Sequence, residues 1–260
     1  MTERFADRVA VVTGGASGIG AATATLLARE GAAVIVADVD AEAASAIVAE
    51  LTERGARALA VVTDVGDPTA VEQMLDAATA EFDGLDILVN CAGVLTLGQV
   101  VDVTDETWDF ALRTNLSSVF YCSRGAARRM IEQGRGGRIV SISSIHAVIS
   151  NPNAAPYTAT KGGIEAFSRT LASELAEHGV TVNCVRPGAT WTNLSRRYYT
   201  APVRAALDQR VPLGEIAQPE WIADAVAHFA SDAARYCTGT TLDVDGGYVM
   251  HGGLADVTYA

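Results

Sequence analysis

The sequence is short of basic residues, which limits the partners it can bind. Its 260 residues include 19 lysines and arginines against 31 aspartates and glutamates, giving a formal net charge of −12 at pH 7. It has no basic run and no alternation of basic with aromatic residues. A chain of this charge is not attracted to nucleic acid or to an anionic membrane. We therefore expect neither nucleic acid nor membrane as a partner.

Cysteine and histidine are also scarce, with four of each. Cys91, Cys122, Cys184 and Cys237 are widely separated, and neither residue type shows the spacing of a zinc site. The plain interpretation is reduced, mostly buried thiols in a cytoplasmic protein. We expect no metal centre.

Long apolar runs and repeats are absent as well. The first residues, MTERFADRVAVV, carry charges and only a short apolar run, so we expect neither a signal peptide nor a membrane span. Hydrophobic residues make up 49% and charged residues 19% of the chain, without a shift in composition. This favours one globular domain over residues 1–260.

A glycine-rich stretch follows the first apolar run. Residues 8–12 are β-branched and apolar, Gly14, Gly18 and Gly20 come next, and an alanine- and leucine-rich segment follows. This order predicts strand, tight turn and helix. Glycine allows close approach to a ligand, and a helix start offers free N–H groups to an anion such as a pyrophosphate.

The strand predicted at 33–37 ends in Asp38. A carboxylate at this place accepts hydrogen bonds from the adenosine ribose and repels a 2′-phosphate. No arginine or lysine stands in the glycine-rich stretch or directly after Asp38. The sequence therefore favours NAD over NADP.

Strands and helices alternate along the rest of the chain, which predicts a parallel sheet with helices on both faces. Further strands are predicted at 58–62, 85–89, 138–144, 180–185 and 240–244, and helices at 41–54, 68–82, 105–133, 162–178 and 219–230. Ligands bind beyond the carboxyl ends of such strands. The glycine-rich stretch, Asp38, Asp64 and the segment 90–93 all fall there.

Tyr157 and Lys161 stand four residues apart at the start of a predicted helix, on one face. A phenol with a pKa near 10 is a poor base, but a neighbouring ammonium lowers that pKa. The pair would then exchange a proton with an alcohol or a ketone. The same spacing is also that of an ordinary pair of side chains on the surface of a helix. Ser144 reaches the same edge, and His146 either contacts substrate or faces solvent.

Residues 189–213 are irregular, with aromatic residues and two prolines. They are too apolar for a free linker, so we predict a mobile substrate lid.

In this order and spacing, the motifs resemble the single-domain short-chain dehydrogenases/reductases, from about Val9 to Gly247. The matching motifs are Thr13-Gly14-xxx-Gly18-x-Gly20, Asn90-Cys91-Ala92-Gly93, Asn115, Ser144, Tyr157-xxx-Lys161 and Pro187-Gly188. The resemblance implies an α/β fold of Rossmann type, a doubly wound parallel sheet of seven strands, and a nicotinamide cofactor.

The resemblance also implies roles for four residues in catalysis. Tyr157 would be the general acid/base, and Ser144 would hold and polarise the substrate oxygen. Lys161 would lower the pKa of Tyr157 and bind the nicotinamide ribose. Asn115 would position a water in a proton relay.

The implied cofactor-binding residues are Gly14, Ser17, Gly18, Ile19, Gly20, Asp38, Asp64, Val65, Asn90, Ala92, Gly93, Tyr157, Lys161, Pro187, Gly188, Thr190 and Thr192. Two positions depart from the family pattern. Cys91 stands where asparagine or another small residue is common. Thr190 replaces the usual branched apolar residue, which weakens the case for its backbone contact to the cofactor.

These observations predict an NAD-dependent oxidoreductase for a fairly apolar secondary alcohol or ketone. A 3-oxoacyl-thioester reductase of the same family and a non-catalytic NAD-binding sensor or scaffold protein remain as alternatives. The resemblance further implies a homo-oligomer, a tetramer or a dimer.

Overall fold

A computed structural model describes residues 3–251 and contains a parallel sheet of seven strands in the order β3-β2-β1-β4-β5-β6-β7. The strands are β1 (Val9–Thr13), β2 (Ala33–Asp38), β3 (Ala58–Val62), β4 (Ile87–Asn90), β5 (Gly137–Ile142), β6 (Val180–Pro187) and β7 (Thr241–Val244). All six strand pairs are parallel. The order reverses between β1 and β4, where such sheets open a crevice for ligands.

Helices cover both faces of the sheet. They are α1 (Gly18–Arg29), α2 (Ala41–Glu53), α3 (Pro68–Phe82), α4 (Asp105–Ala111), α5 (Ser118–Gln133), α6 (Ala155–Leu175), α7 (Ala201–Arg210) and α8 (Pro219–Ala230). Side chains alternate along β1: Ala10 and Val12 pack on the side of α1, α2 and α8, and Val9 and Val11 on the side of α3, α5 and α6. The doubly wound fold is confirmed.

The site-bearing elements differ from their predicted bounds. Strand β5 ends at Ile142, so Ser144 stands just beyond it. Helix α6 begins at Ala155, where Pro156 is suited to a first helical turn, so Tyr157 lies at the start of this helix as predicted. The segment 105–133 is helical as predicted, but a π-helical turn at Leu112–Ser117 interrupts it.

The segment 189–213 corrects the prediction of an irregular lid. It contains a 3-10 turn at Arg196–Tyr198 and a regular helix, α7. Alanine, leucine, arginine and glutamine favour helix, and Pro202 lies in the first turn. Helix α7 buries no residue fully, although Val203 and Leu207, four residues apart, both line a cavity.

Within residues 3–251, no helix combines the length and apolar character that crossing a membrane requires.

Candidate active site

A cavity of about 680 Å³ lies at the carboxyl edge of the sheet. The predicted site residues that line it are Gly14, Ser17, Gly18, Ile19, Asp38, Asp64, Val65, Ala92, Gly93, Ser144, Tyr157, Lys161, Pro187, Gly188, Thr190 and Thr192. Gly20, Asn90 and Asn115 are outside the lining. The fold thus brings most of the predicted residues to one cavity.

The turn between β1 and α1 forms the floor of one end of this cavity. Gly14 has a φ of +63°, and a Cβ there would lie 2.8 Å from Cα of Ala92. At Gly20 a Cβ would lie 2.0 Å from the carbonyl oxygen of Gly14, so Gly20 permits the turn without lining the cavity. The side chain of Ser17 does not cap α1, which leaves first-turn N–H groups for an anion. These residues fit the pyrophosphate of a dinucleotide.

Asp38 is fixed at the same end. One carboxylate oxygen accepts from the backbone N–H of Ala16 and the other from that of Asp40, both at 3.1 Å. Among the lining residues that the structure describes, Lys161 is the only lysine or arginine, and it lies in the Tyr157 cluster. Nothing in that described lining would neutralise a phosphate beside Asp38.

Asp64, the other acidic residue of the lining, is already paired. It accepts from Arg113 at 2.9 Å and from the backbone N–H of Gly66 at 2.8 Å. The Arg113 guanidinium holds the pKa of the Asp64 carboxyl below its ordinary value. The charge of Arg113 is therefore largely balanced by Asp64.

The two predicted asparagines lie outside the cavity lining and hydrogen-bond to other residues of the protein. Asn90 donates to the hydroxyls of Ser123 and Ser141, both at 3.1 Å. Asn115, fully buried in the π-helical turn, accepts from the backbone N–H of Val94 at 2.7 Å and donates to its carbonyl at 2.9 Å. Among the described residues the Asn115 amide is thus engaged through both its oxygen and its nitrogen, whereas the buried Oδ1 of Asn90 has no hydrogen-bond partner. The water relay through Asn115 stays a prediction.

Ser144, Tyr157 and Lys161 meet in the middle of the cavity. The Ser144 hydroxyl oxygen accepts from the backbone N–H of His146 at 3.2 Å, and the Ser144 side chain faces the Tyr157 hydroxyl. The Nζ atom of Lys161 donates to the carbonyl oxygen of Ile142 at 2.8 Å and lies 5.6 Å from the centre of the Tyr157 ring.

Burial dominates the pKa values of this cluster. Burial raises the pKa of Tyr157 above its ordinary value, and the interaction with the Ser144 side chain opposes this only in part. Burial also lowers the pKa of Lys161 to about 8. The net direction at Tyr157 is thus upward, opposite to the predicted lowering by Lys161, because desolvation outweighs other influences.

Lys161 is the only lysine of the chain, so its pKa can be measured without assignment. We expect protein labelled with [13Cε]lysine to give one resonance that titrates near pH 8 when folded and near 10.5 in urea. The folded state then binds fewer protons than the unfolded state between these values. The free energy of unfolding should therefore rise with pH across this window, relative to Lys161→Met. A folded-state midpoint at 10 or above would contradict this.

Two residues that line the cavity, His146 and Tyr199, belong to none of the motifs quoted from the sequence. His146 lines the cavity, and burial lowers its pKa, which keeps the imidazole neutral at pH 7. The Tyr199 hydroxyl accepts from the backbone N–H of Thr190 at 3.0 Å, and its ring meets Trp191 edge-on at 5.2 Å. The backbone N–H of Thr190, which was predicted to contact the cofactor, is thus already hydrogen-bonded to Tyr199.

Comparison with known proteins shows which family this chain resembles. A family model described as enoyl-(acyl carrier protein) reductase matches residues 14–249. The chain is 44% identical to the cis-4-hydroxycyclohexanecarboxylate dehydrogenase of Sinomonas cyclohexanicum, covering 95% of this chain and 99% of that protein. It is 41% identical to the 3-oxoacyl-(acyl-carrier-protein) reductase FabG of Escherichia coli (strain K12), with the same coverage.

Solved structures of other proteins show the same fold. A short-chain type dehydrogenase/reductase from Mycobacterium marinum superposes with a TM-score of 0.90 at 33% identity, covering 94% of this chain and 96% of that one. A gluconate 5-dehydrogenase from Burkholderia cenocepacia J2315, in complex with NADP and tartrate, gives 0.91 at 32%, covering 95% and 97%. A 7α-hydroxysteroid dehydrogenase complexed with NADH gives 0.91 at 30%, covering 99% and 98%. The chain therefore belongs to the short-chain dehydrogenase/reductase family of nicotinamide-dependent oxidoreductases.

Proposed function

We propose that this chain is an NAD(H)-dependent dehydrogenase that interconverts a secondary alcohol and its ketone. One observation carries the proposal. Ser144 and Tyr157 line one cavity together with the Asp38 carboxylate, which two backbone N–H groups hold in place. The first feature suits proton exchange with a substrate oxygen, and the second suits a ribose with free hydroxyls.

The protein residues supply orientation and the proton path. When bound, the nicotinamide ring would give or take the hydride. Ser144 would hold the substrate oxygen, and Tyr157 would donate its proton to that oxygen as the ketone becomes an alcohol. Burial raises the pKa of Tyr157 and keeps the phenol protonated at neutral pH, which suits the reducing direction. Oxidation needs the same group deprotonated, so it should accelerate as pH rises.

The substrate end of the cavity suits a fairly apolar, medium-sized alcohol. Apolar side chains form much of this wall: Leu95, Leu97, Ile145, Leu194, Val203 and Leu207. Among the described lining residues only Lys161 is a cation, and its Nζ lies 5.6 Å from the centre of the Tyr157 ring. Because one relative is named for a hydroxycyclohexanecarboxylate substrate, we propose cyclic secondary alcohols first.

A 3-oxoacyl-thioester reductase is the second candidate. The 41% identity to the Escherichia coli reductase and the description of the matching family model favour it. Reductases of this kind mostly resemble enzymes that use NADP. The negative charge of Asp38, which no cation of the described lining balances, would repel the 2′-phosphate of that cofactor.

We also propose that residues 1–260 act as one domain in a homo-oligomer in the cytoplasm, with 189–213 as its substrate lid. Large apolar side chains are exposed on the α4–α5 face and beside β7, notably Trp108, Phe120 and Leu242. A tetramer or a dimer would cover them. The four cysteines are free, as in a reducing compartment.

A turnover panel tests the function. We expect cyclohexanol and cyclopentanol with NAD to give a higher kcat/KM than acetoacetyl thioester reduction with NADPH. The matched control is each alcohol with NADP. If only the thioester with NADPH turned over, the second candidate would replace the first.

A further inference from the structure

A buried ion pair that the proposed chemistry does not use lies beside the catalytic cluster. Glu165 of α6 and Arg186 of β6 are 7% and 13% exposed in their side chains. One carboxylate oxygen of Glu165 accepts from Nε of Arg186 at 2.9 Å, and the other accepts from Nη2 at 2.8 Å. The pair is therefore bidentate and shielded from water.

Two more side chains complete the cluster. The Ser143 hydroxyl donates to Glu165 at 2.6 Å, and Nη1 of Arg186 donates to Asp243 of β7 at 2.6 Å. The buried carboxylate thus accepts three hydrogen bonds, and its charge is balanced. We call Ser143, Glu165, Arg186 and Asp243 the carboxyl-edge clamp.

The clamp joins the chain segments that carry the proposed site. Ser143 directly precedes Ser144, and its hydroxyl also lies 3.4 Å from the carbonyl oxygen of Lys161. Glu165 is one helical turn beyond Lys161 on α6. Arg186 directly precedes Pro187, which lines the cavity. A shift in any clamp member would move a segment that touches substrate or cofactor.

Stability alone does not explain such a pair. Burying two charges costs solvation energy, and replacing a buried ion pair with apolar residues is often neutral or stabilising. We propose that Glu165 and Arg186 are positioning residues, which fix Ser144, Tyr157 and Lys161 relative to the loop that begins at Pro187. This inference rests on the proposed function, because it assigns a role in the same reaction.

The opposite edge of the sheet provides a control ion pair. Arg135, whose side chain is 46% exposed, donates to the buried Asp86 through Nε at 2.8 Å and Nη2 at 3.1 Å. Asp86 directly precedes β4 and Arg135 lies two residues before β5, so this pair stands at the amino ends of the strands. Neither residue lines the cavity. A purely structural role for the clamp predicts that its loss, like the loss of this pair, changes stability without lowering kcat.

The test compares Glu165→Met/Arg186→Met with Arg135→Met. The double variant removes both charges together, so the net charge of the chain is unchanged. We expect its urea midpoint to stay close to that of the wild type, while kcat for cyclohexanol with NAD falls about 10- to 100-fold. We expect KM to change less than kcat. Arg135→Met should keep kcat within about twofold of the wild type.

A second measurement does not depend on turnover. The single [13Cε]lysine resonance of Lys161 should change its chemical shift or its titration midpoint in the double variant and stay unchanged in Arg135→Met. If the double variant does not fold, Glu165→Gln receives the same measurements, and Arg186→Lys should restore part of the lost activity relative to Arg186→Met.

The outcomes separate the two proposals. A kcat and a lysine resonance that match the wild type in a folded clamp variant would overturn the positioning role and leave the dehydrogenase intact. If the wild type itself failed to oxidise any alcohol, the proposed function would fail, and the lysine resonance alone would still decide whether the clamp positions Lys161.

Discussion

Replacing Tyr157 with phenylalanine is expected to lower kcat by about 10²- to 10⁴-fold, the range that a positioned general acid/base contributes. The change deletes only the hydroxyl that faces the Ser144 side chain. Because the aromatic ring stays in place, we expect the protein to fold normally. NADH affinity should fall by no more than about tenfold, since one hydrogen bond contributes about 1 kcal/mol.

Tyr121→Phe is the matched control, because it deletes the same atom from a tyrosine that does not line the cavity. Its kcat should stay within about twofold of the wild type. If Tyr157→Phe retained a tenth or more of the wild-type kcat, Tyr157 would not be the group that exchanges the proton.

Replacing Asp38 with asparagine is expected to shift the NADH-to-NADPH affinity ratio by about 10²-fold towards NADPH. Two like charges a few ångströms apart near a protein surface repel by roughly 2–4 kcal/mol, and asparagine removes one of them. The amide keeps one oxygen that can accept from the backbone N–H of Ala16 or of Asp40, so the turn should persist.

Asp40→Asn controls for the change in net charge. Asp40 is exposed, and its side chain caps α2 by accepting from the backbone N–H of Ala43 at 3.0 Å, which asparagine also does. Its affinity ratio should match that of the wild type. Equal ratios in Asp38→Asn and the wild type would show that this carboxylate does not select the cofactor.

The sheet and the end of the cavity beside Asp38 could be predicted because their signals are local. Apolar runs that end in glycine or an acidic residue mark the carboxyl ends of strands, and Asp38 is found by its place at the end of β2. Helix α7 was not predicted, because it spans only ten residues, buries none of them fully and has a proline in its first turn.

The hydrogen bonds and pKa values of the site could not be predicted from the sequence. The hydrogen bond from Lys161 to Ile142 joins residues 19 apart, and the pKa of about 8 comes from burial, which no local pattern reports. Glu165 and Arg186 of the clamp are 21 residues apart, and in the sequence each is a single charged residue between apolar neighbours. Such contacts follow from the packing of α6 on β6, so only a three-dimensional structure reveals them.

Equilibrium titration of the purified protein with NADH and with NADPH tests whether this chain is an NAD(H)-dependent enzyme of its family. Binding is followed by nicotinamide fluorescence. The Asp38 geometry predicts that NADH binds at least tenfold more tightly than NADPH. Tighter binding of NADPH would contradict the assignment and favour the thioester reductase, and binding of neither would contradict a nicotinamide-dependent function altogether.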